Sequence, residues 1–163
     1  MSPCLALPAS DREGSMTATG QAALGAAFRD VYRQTRPRRV AVVGRAAGNG
    51  LQHVDPGITS DVIGIDLAVA GVDLPPGSVD LVHLALVFEP VDPGVVMARA
   101  ARWLSPAGVC AVVLQRPSKT HAPEAIEALG RGAGLFCTRS WDVAWPDDGR
   151  LHVALFGRKR PWR

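Results

Sequence analysis

No apolar run in this 163-residue chain approaches the roughly 18 residues that cross a bilayer, so no transmembrane helix is expected. Cysteine is scarce. Cys4, Cys110 and Cys137 are an odd number, with neither metal-site spacing nor a disulfide framework. Cys110 lies inside an apolar run and reads as a small core residue, and the thiol usage points to a reduced, cytoplasmic setting. Lysine is nearly absent, since 16 of the 18 basic residues are arginine. With abundant alanine and glycine, this is the composition of a GC-rich bacterial genome. The net charge is only +3, gathered at Arg33–Arg39 and Arg158–Arg163. No nucleic-acid reading motif accompanies either cluster, which leaves a solvated helix end and a tail. Met1–Thr19 has no basic start followed by an apolar core, so it reads as a flexible lead-in rather than a signal peptide, with Met16 as a second candidate start. Paired catalytic carboxylates, a Ser/His/Asp arrangement and a metal-ligand cluster are all missing. Triad hydrolases and metalloenzymes are therefore not expected.

What is present is an alternation of apolar strands and amphipathic helices. Gln21–Thr35 carries Leu24, Ala27, Phe28 and Val31 at helical spacing and stops at Pro37. Val40–Val43 has no polar side chain, as a strand covered on both faces requires. A short helix is expected over Asn49–Val54, a second strand over Val62–Ile65 and a third over Val79–Leu86. A helix over Gly94–Leu104 is expected to break at Ser105-Pro106-Ala107-Gly108, before a buried strand over Val109–Leu114. Pro123–Gly130 reads as a helix. Strands near Phe136–Val143 and Leu151–Phe156 flank a Pro146-Asp147-Asp148-Gly149 turn, the mark of an antiparallel hairpin. Residues 20–163 form one α/β domain on this reading, with 1–19 as lead-in.

The stretch richest in chemical meaning is Val40-Ala41-Val42-Val43-Gly44-Arg45-Ala46-Ala47-Gly48-Asn49-Gly50-Leu51. An apolar strand feeds a loop of small residues, where backbone N–H groups can approach a ligand. The next strand ends on Asp66, a carboxylate suited to accept two hydrogen bonds from a ribose diol. A Gly-x-Gly-x-x-Gly dinucleotide motif cannot be placed, since its third position would fall on His53. The ordered series resembles class I S-adenosylmethionine-dependent methyltransferases. It comprises Gly44-x-Ala46-x-Gly48, then Asp66, then Val79-Asp80-Leu81-Val82, then Leu104-Ser105-Pro106-Ala107-Gly108 and a hairpin. The likeness covers about residues 20 to 157.

That resemblance implies a Rossmann-like methyltransferase sheet, mostly parallel with a C-terminal antiparallel hairpin. It implies S-adenosylmethionine as cofactor and methyl transfer to an unknown small molecule. Gly44, Arg45, Ala46 and Gly48 would pass the methionine part, and Asp66 would hold the ribose. Three departures stand out. Val42 occupies a position that is often acidic, and Ala46 puts a Cβ where the middle glycine stands. Only Leu67–Ser78 separates Asp66 from the Val79 strand, too short for a helix, a third strand and a linker. The third strand and its helix are therefore expected to be missing. Asp73 would then either replace the lost acidic partner of the adenine or cap the Leu74-Pro75-Pro76-Gly77 turn. The second strand becomes a sheet edge, for which a second identical chain is the expected cover. The same departures open an alternative, a non-catalytic scaffold or partner subunit acting through that dimer interface.

Glu89, after the central strand, is the candidate to orient or deprotonate an acceptor, or else a helix-start carboxylate beside Pro90. His83 reads as a hydrogen-bonded core histidine, and His53 as a surface position near the loop. Gln115 is a further pocket candidate, while Trp103, Trp141 and Trp145 read as packing.

Overall fold

The structure is a computed structural model that describes residues 18–43, 56–65, 73–85, 93–116, 122–145 and 149–159. In chain order the described elements are α1 (Ala18–Thr35), β1 (Arg39–Val43), β2 (Asp61–Ile65), β3 (Val79–Ala85), α2 (Pro93–Trp103), β4 (Leu104–Arg116), α3 (Pro123–Gly132), β5 (Phe136–Trp145) and β6 (Gly149–Gly157). The expected helix over Asn49–Val54 lies outside the described residues.

The six strands form one sheet in the order β2-β1-β3-β4-β6-β5. β2, β1, β3 and β4 are mutually parallel, and β6 runs antiparallel between β4 and β5. β3 pairs directly with β1, so the path from β2 returns across β1 with no strand added outside β2 among the described residues. This is the expected sheet without its third strand.

Alternation along each strand explains how both faces are covered. Val40, Val42, Leu81, Ala111, Val113, Val153 and Leu155 point to one face, where α1 lays down Leu24, Ala27, Phe28, Val31 and Tyr32. Ala41, Val43, Val82, Leu84, Cys110, Val112, Leu114 and Phe156 point to the other, against Val96, Met97, Ala100 and Trp103 of α2 and Ile126 of α3. The four apolar residues of β1 are all fully buried, as the unbroken apolar run requires. On the second face α3 approaches β6 closely. A Cβ at Gly130 would lie 2.8 Å from the Phe156 ring, so only glycine lets this helix sit so low.

The helix ends just before Ser105–Gly108, as expected, but the following strand starts earlier than the expected Val109. α2 stops at Trp103, and β4 starts at once at Leu104. Leu104 pairs with Val79 and Val109 with Leu81, so Ser105–Gly108 are absorbed as an irregularity opposite Asp80. Two contacts make this feasible. Ser105 Oγ donates to Asp80 Oδ1 at 3.2 Å, and Gly108 lies where a Cβ would meet the Ser105 carbonyl at 3.0 Å. The Asp80 carboxylate also accepts from the N–H groups of Arg38 and Arg39, at 3.3 and 3.2 Å, which ties the entry of β1 to β3.

Candidate functional site

In an open parallel sheet, ligands bind beyond the carboxyl ends of the strands, where successive connections diverge. That point is set here by strand order. β1 lies between β2 and β3, so the two strands that follow it in the chain flank it on opposite sides. The carboxyl ends meet in one row, since Val43 pairs with both Ile65 and Leu84. All three side chains are buried, which gives the crevice an apolar floor.

Most of the sequence candidates follow these strand ends directly. Gly44, Arg45, Ala46 and Gly48 follow β1, Asp66 follows β2, and Glu89 comes four residues after β3. All six, and His53, lie outside the described residues. Gln115 is on β4 opposite Leu151, at the same edge. Val42 is a fully buried core residue facing α1.

Asp73 is placed elsewhere. Its Oδ1 accepts from Trp103 Nε1 at 2.6 Å and from the Leu74 N–H at 3.0 Å, and its Oδ2 pairs with the Arg102 guanidinium. Arg102 and Trp103 close α2, whose end abuts the start of β4, and the Arg102 carbonyl accepts from the Gly77 N–H just before β3 begins. Asp73 thus sits at the amino edge of the parallel strands, across the sheet from the end of β1. Trp103 is fully buried, and Trp141 and Trp145 pack against the α1-face core, as expected for all three.

His83 is a core residue, but the expectation of hydrogen bonds is corrected. The ring is fully buried and stacks on Phe28, with centroids 3.7 Å apart and planes 9° off parallel. Neither ring nitrogen has a partner among the described residues, and the same holds for the Tyr32 hydroxyl beside it. The reason is its seat on the central strand under the apolar side of α1, with Val42 and Ala111 as strand neighbours. Burial drives the imidazole down to about 3 and holds it neutral. Burial likewise pushes the Cys110 thiol up to about 12, leaving an unreactive neutral group.

One group of polar side chains was not anticipated. On the β5–β6 ladder Asp142 faces His152, and Ala144 faces Arg150. His152 Nδ1 lies 2.9 Å from Asp142 Oδ1, and Arg150 Nη1 lies 3.6 Å from Asp142 Oδ2. The carboxylate only accepts, so the proton of this bond is on Nδ1. The usable signal was the hairpin turn. Counting outward from Trp145 and Gly149 on its two sides pairs position 142 with 152. Among the described residues no group of His, Cys, Asp and Glu is arranged to hold a metal ion. No described helix is long and apolar enough to cross a membrane.

No family model matches the chain, and no curated protein matches its sequence. Solved structures do match its fold. A 1,6-didemethyltoxoflavin-N1-methyltransferase from Burkholderia thailandensis, with 1,6-didemethyltoxoflavin and S-adenosylhomocysteine bound, superposes with a TM-score of 0.64 at 18% identity, covering 93% of this chain and 84% of that one. A SAM-dependent methyltransferase from Aquifex aeolicus gives 0.58 at 16% identity, covering 79% and 88%. The [4+2]-cyclase SpnF gives 0.63 at 12% identity, covering 91% and 85%. The chain therefore has the Rossmann-like fold of class I S-adenosylmethionine-dependent methyltransferases, shortened after its second strand.

Proposed function

We propose that the chain binds S-adenosylmethionine beyond the carboxyl ends of β1 and β2 and transfers its methyl group to a small molecule. The observation that carries this reading is the sheet itself. This fold, with antiparallel β6 inserted beside β4, superposes on methyltransferase structures over most of their length, including one with S-adenosylhomocysteine bound. The available groups suit the ligand. Backbone N–H groups of Gly44 and Gly48 would meet the amino-acid carboxylate, Arg45 would add a cation, and Asp66 would accept from the ribose hydroxyls. Ala46 would bring one methyl group more than a glycine to that loop. When bound, the cofactor supplies an electrophilic sulfonium methyl, and the protein's task is to align an acceptor with it. Glu89, after β3, is placed by sequence to orient that acceptor. Asp73 is left out of the site, because its carboxylate is engaged by Trp103 and Arg102. A reduced, cytoplasmic setting belongs to the same reading.

Calorimetry with S-adenosylhomocysteine tests it. Micromolar binding that Asp66→Ala weakens at least tenfold is expected. No heat at millimolar ligand overturns the cofactor assignment.

A second reading, a non-catalytic partner subunit, draws on the exposed edge. β2 has β1 as its one strand neighbour among the described residues, and Ile63 is 38% exposed on it. Under either reading we propose that a second copy pairs along β2. Failure to bind S-adenosylhomocysteine together with a stable dimer would favour the partner subunit.

A further inference from the structure

We propose that the amino edge of the parallel strands, the end opposite the cofactor crevice, is a docking surface for the phosphate backbone of duplex nucleic acid.

The argument starts from position. Arg33–Arg39 and Arg158–Arg163 lie far apart in the chain and read from sequence as a helix end and a tail. The fold brings the described part of each to one edge. β1, β3 and β4 run parallel, so the end of α1 that feeds β1 and the end of α2 that feeds β4 both lie at their amino ends. β6 runs the other way, so Arg158 and Lys159 after it return to that same edge. Arg158 is anchored there. Its guanidinium donates to the Leu104 carbonyl at 2.8 Å and to the Ala101 carbonyl near the end of α2. Arg131, in the last turn of α3, precedes β5, which starts opposite Gly157. Arg139 of β5 donates to Gln34 of α1 at 2.9 Å, which ties the two sides of the edge together.

The second element is charge. Three carboxylates share the edge, and each is engaged. Asp61 pairs with Arg39 at 3.5 Å, Asp73 pairs with Arg102, and Asp80 accepts from the backbone N–H groups of Arg38 and Arg39. Asp30 and Glu127 stand further up their helices. Arg33, Arg36, Arg38, Arg131, Arg158 and Lys159 have no carboxylate in ion-pair contact among the described residues. All six are exposed. Their charge exceeds the net +3 of the whole chain, so positive charge is segregated to this edge rather than spread.

The third element is the chemistry of the partner. From β1 to β5 is four ladder spacings, about 19 Å at ordinary strand separation. A duplex presents about five phosphates per strand over that length. All of the six unpaired cations but Lys159 are guanidinium groups, which pair with two phosphate oxygens at once. The exposed large apolar side chains among the described residues are Ile63, in the middle of β2, and Val95, near the start of α2. Neither lies at this edge. A lipid surface takes apolar anchors beside its cations, a protein partner takes an apolar centre, and a single strand takes exposed aromatic rings for its bases. The described residues offer none of these here, whereas a duplex backbone requires only placed charge. A duplex held at this edge leaves the opposite end of the sheet open, so it localises the protein and is not the methyl acceptor.

The test measures the fluorescence anisotropy of a labelled 20-base-pair DNA duplex with the full-length protein. At low salt, about 50 mM, micromolar binding is expected, with log affinity falling against log salt at a slope of about −4.5 for five phosphate contacts. Arg38→Gln and Lys159→Gln each take one charge from one cluster. Each should weaken binding several-fold and reduce the slope by about one. Arg150→Gln, at the far end of the hairpin, removes the same charge and should change neither. A loss with Arg150→Gln equal to that with Arg38→Gln means diffuse attraction by net charge, and a loss with Lys159→Gln alone means a tail rather than a surface. Tighter binding to the separated single strands, or to vesicles containing phosphatidylserine, means a different polyanion. Each of these results overturns the assignment, as does an unchanged anisotropy with tens of micromolar protein. The proposal stands apart from the cofactor reading, because none of its residues borders the crevice.

Discussion

His83 carries the largest residue-scale conflict in the core. An imidazole with two unpartnered nitrogens is packed flat against Phe28 in a fully buried layer. In the unfolded chain the group titrates near its ordinary value of 6.5, and in the folded protein near 3. Between those values the unfolded state binds more protons. Stability contributed by the neutral ring is therefore complete above about pH 6.5 and falls as pH drops toward 3, by about 1.4 kcal/mol per unit. His83→Leu removes this dependence. Denaturant melts of the two proteins at pH 7 and pH 4.5 should show a gap that widens in favour of Leu at the lower pH. At pH 7 the substitution should hold or raise stability by about 1 kcal/mol, because it removes buried polar atoms that bond to nothing described. Sequence placed His83 in the core, because an apolar strand surrounded it. It could not reveal the lack of partners, which depends on which α1 residue, Phe28, lands on the ring.

At the scale of elements, two junctions decide the packing. α3 rests on β6 through Gly130, where added bulk meets both the Phe156 ring and the Leu135 carbonyl. Gly130→Ala should cost about 1–3 kcal/mol despite the better helix propensity of alanine, read as a lower denaturant midpoint at constant slope. α1 ends with Arg36 in a left-handed conformation, φ 44°, its N–H donating to the Tyr32 carbonyl at 2.9 Å before Pro37. Arg36→Gly relieves the steric cost of that conformation and should raise stability by up to about 1 kcal/mol in thermal melts. The described helices, strands and hairpin were legible from periodicity and turn residues. The Ser105–Gly108 segment does end the helix, but Pro and Gly gave no sign that it also belongs to the strand. In the fold, Asp80 supplies a carboxylate from the neighbouring strand that binds Ser105 and holds the segment in the sheet.

At the scale of the whole molecule, the proposed association rests on the side of β2 that has no strand neighbour among the described residues. Asp61–Ile65 contains neither lysine nor proline, the residues that blunt an exposed edge. A symmetric pair of chains would extend the sheet across this edge. Light scattering should report a dimer at tens of micromolar, and Ile63→Lys should shift it to monomer without lowering the unfolding midpoint of the isolated chain. A wild type that stays monomeric at that concentration overturns the pairing.

The sequence by itself determined the class of fold, the order of elements and the loss of the third strand. Each of these is a local or near-local property: apolar runs, turn residues and the short distance from Asp66 to Val79. It also singled out Gly44, Gly48 and Asp66, because small residues and a carboxylate after strand ends have a chemical meaning wherever the strands go. Tertiary structure alone decided which side chains meet. Asp73, seven residues after Asp66 in the chain, is carried to the opposite edge and bound by Trp103. Asp142 and His152, ten residues apart and unremarkable in isolation, become a dyad because antiparallel pairing sets them face to face. Spacing along a chain specifies contacts within an element, but contacts between elements depend on register and strand order, and those are settled only when the sheet closes around its core.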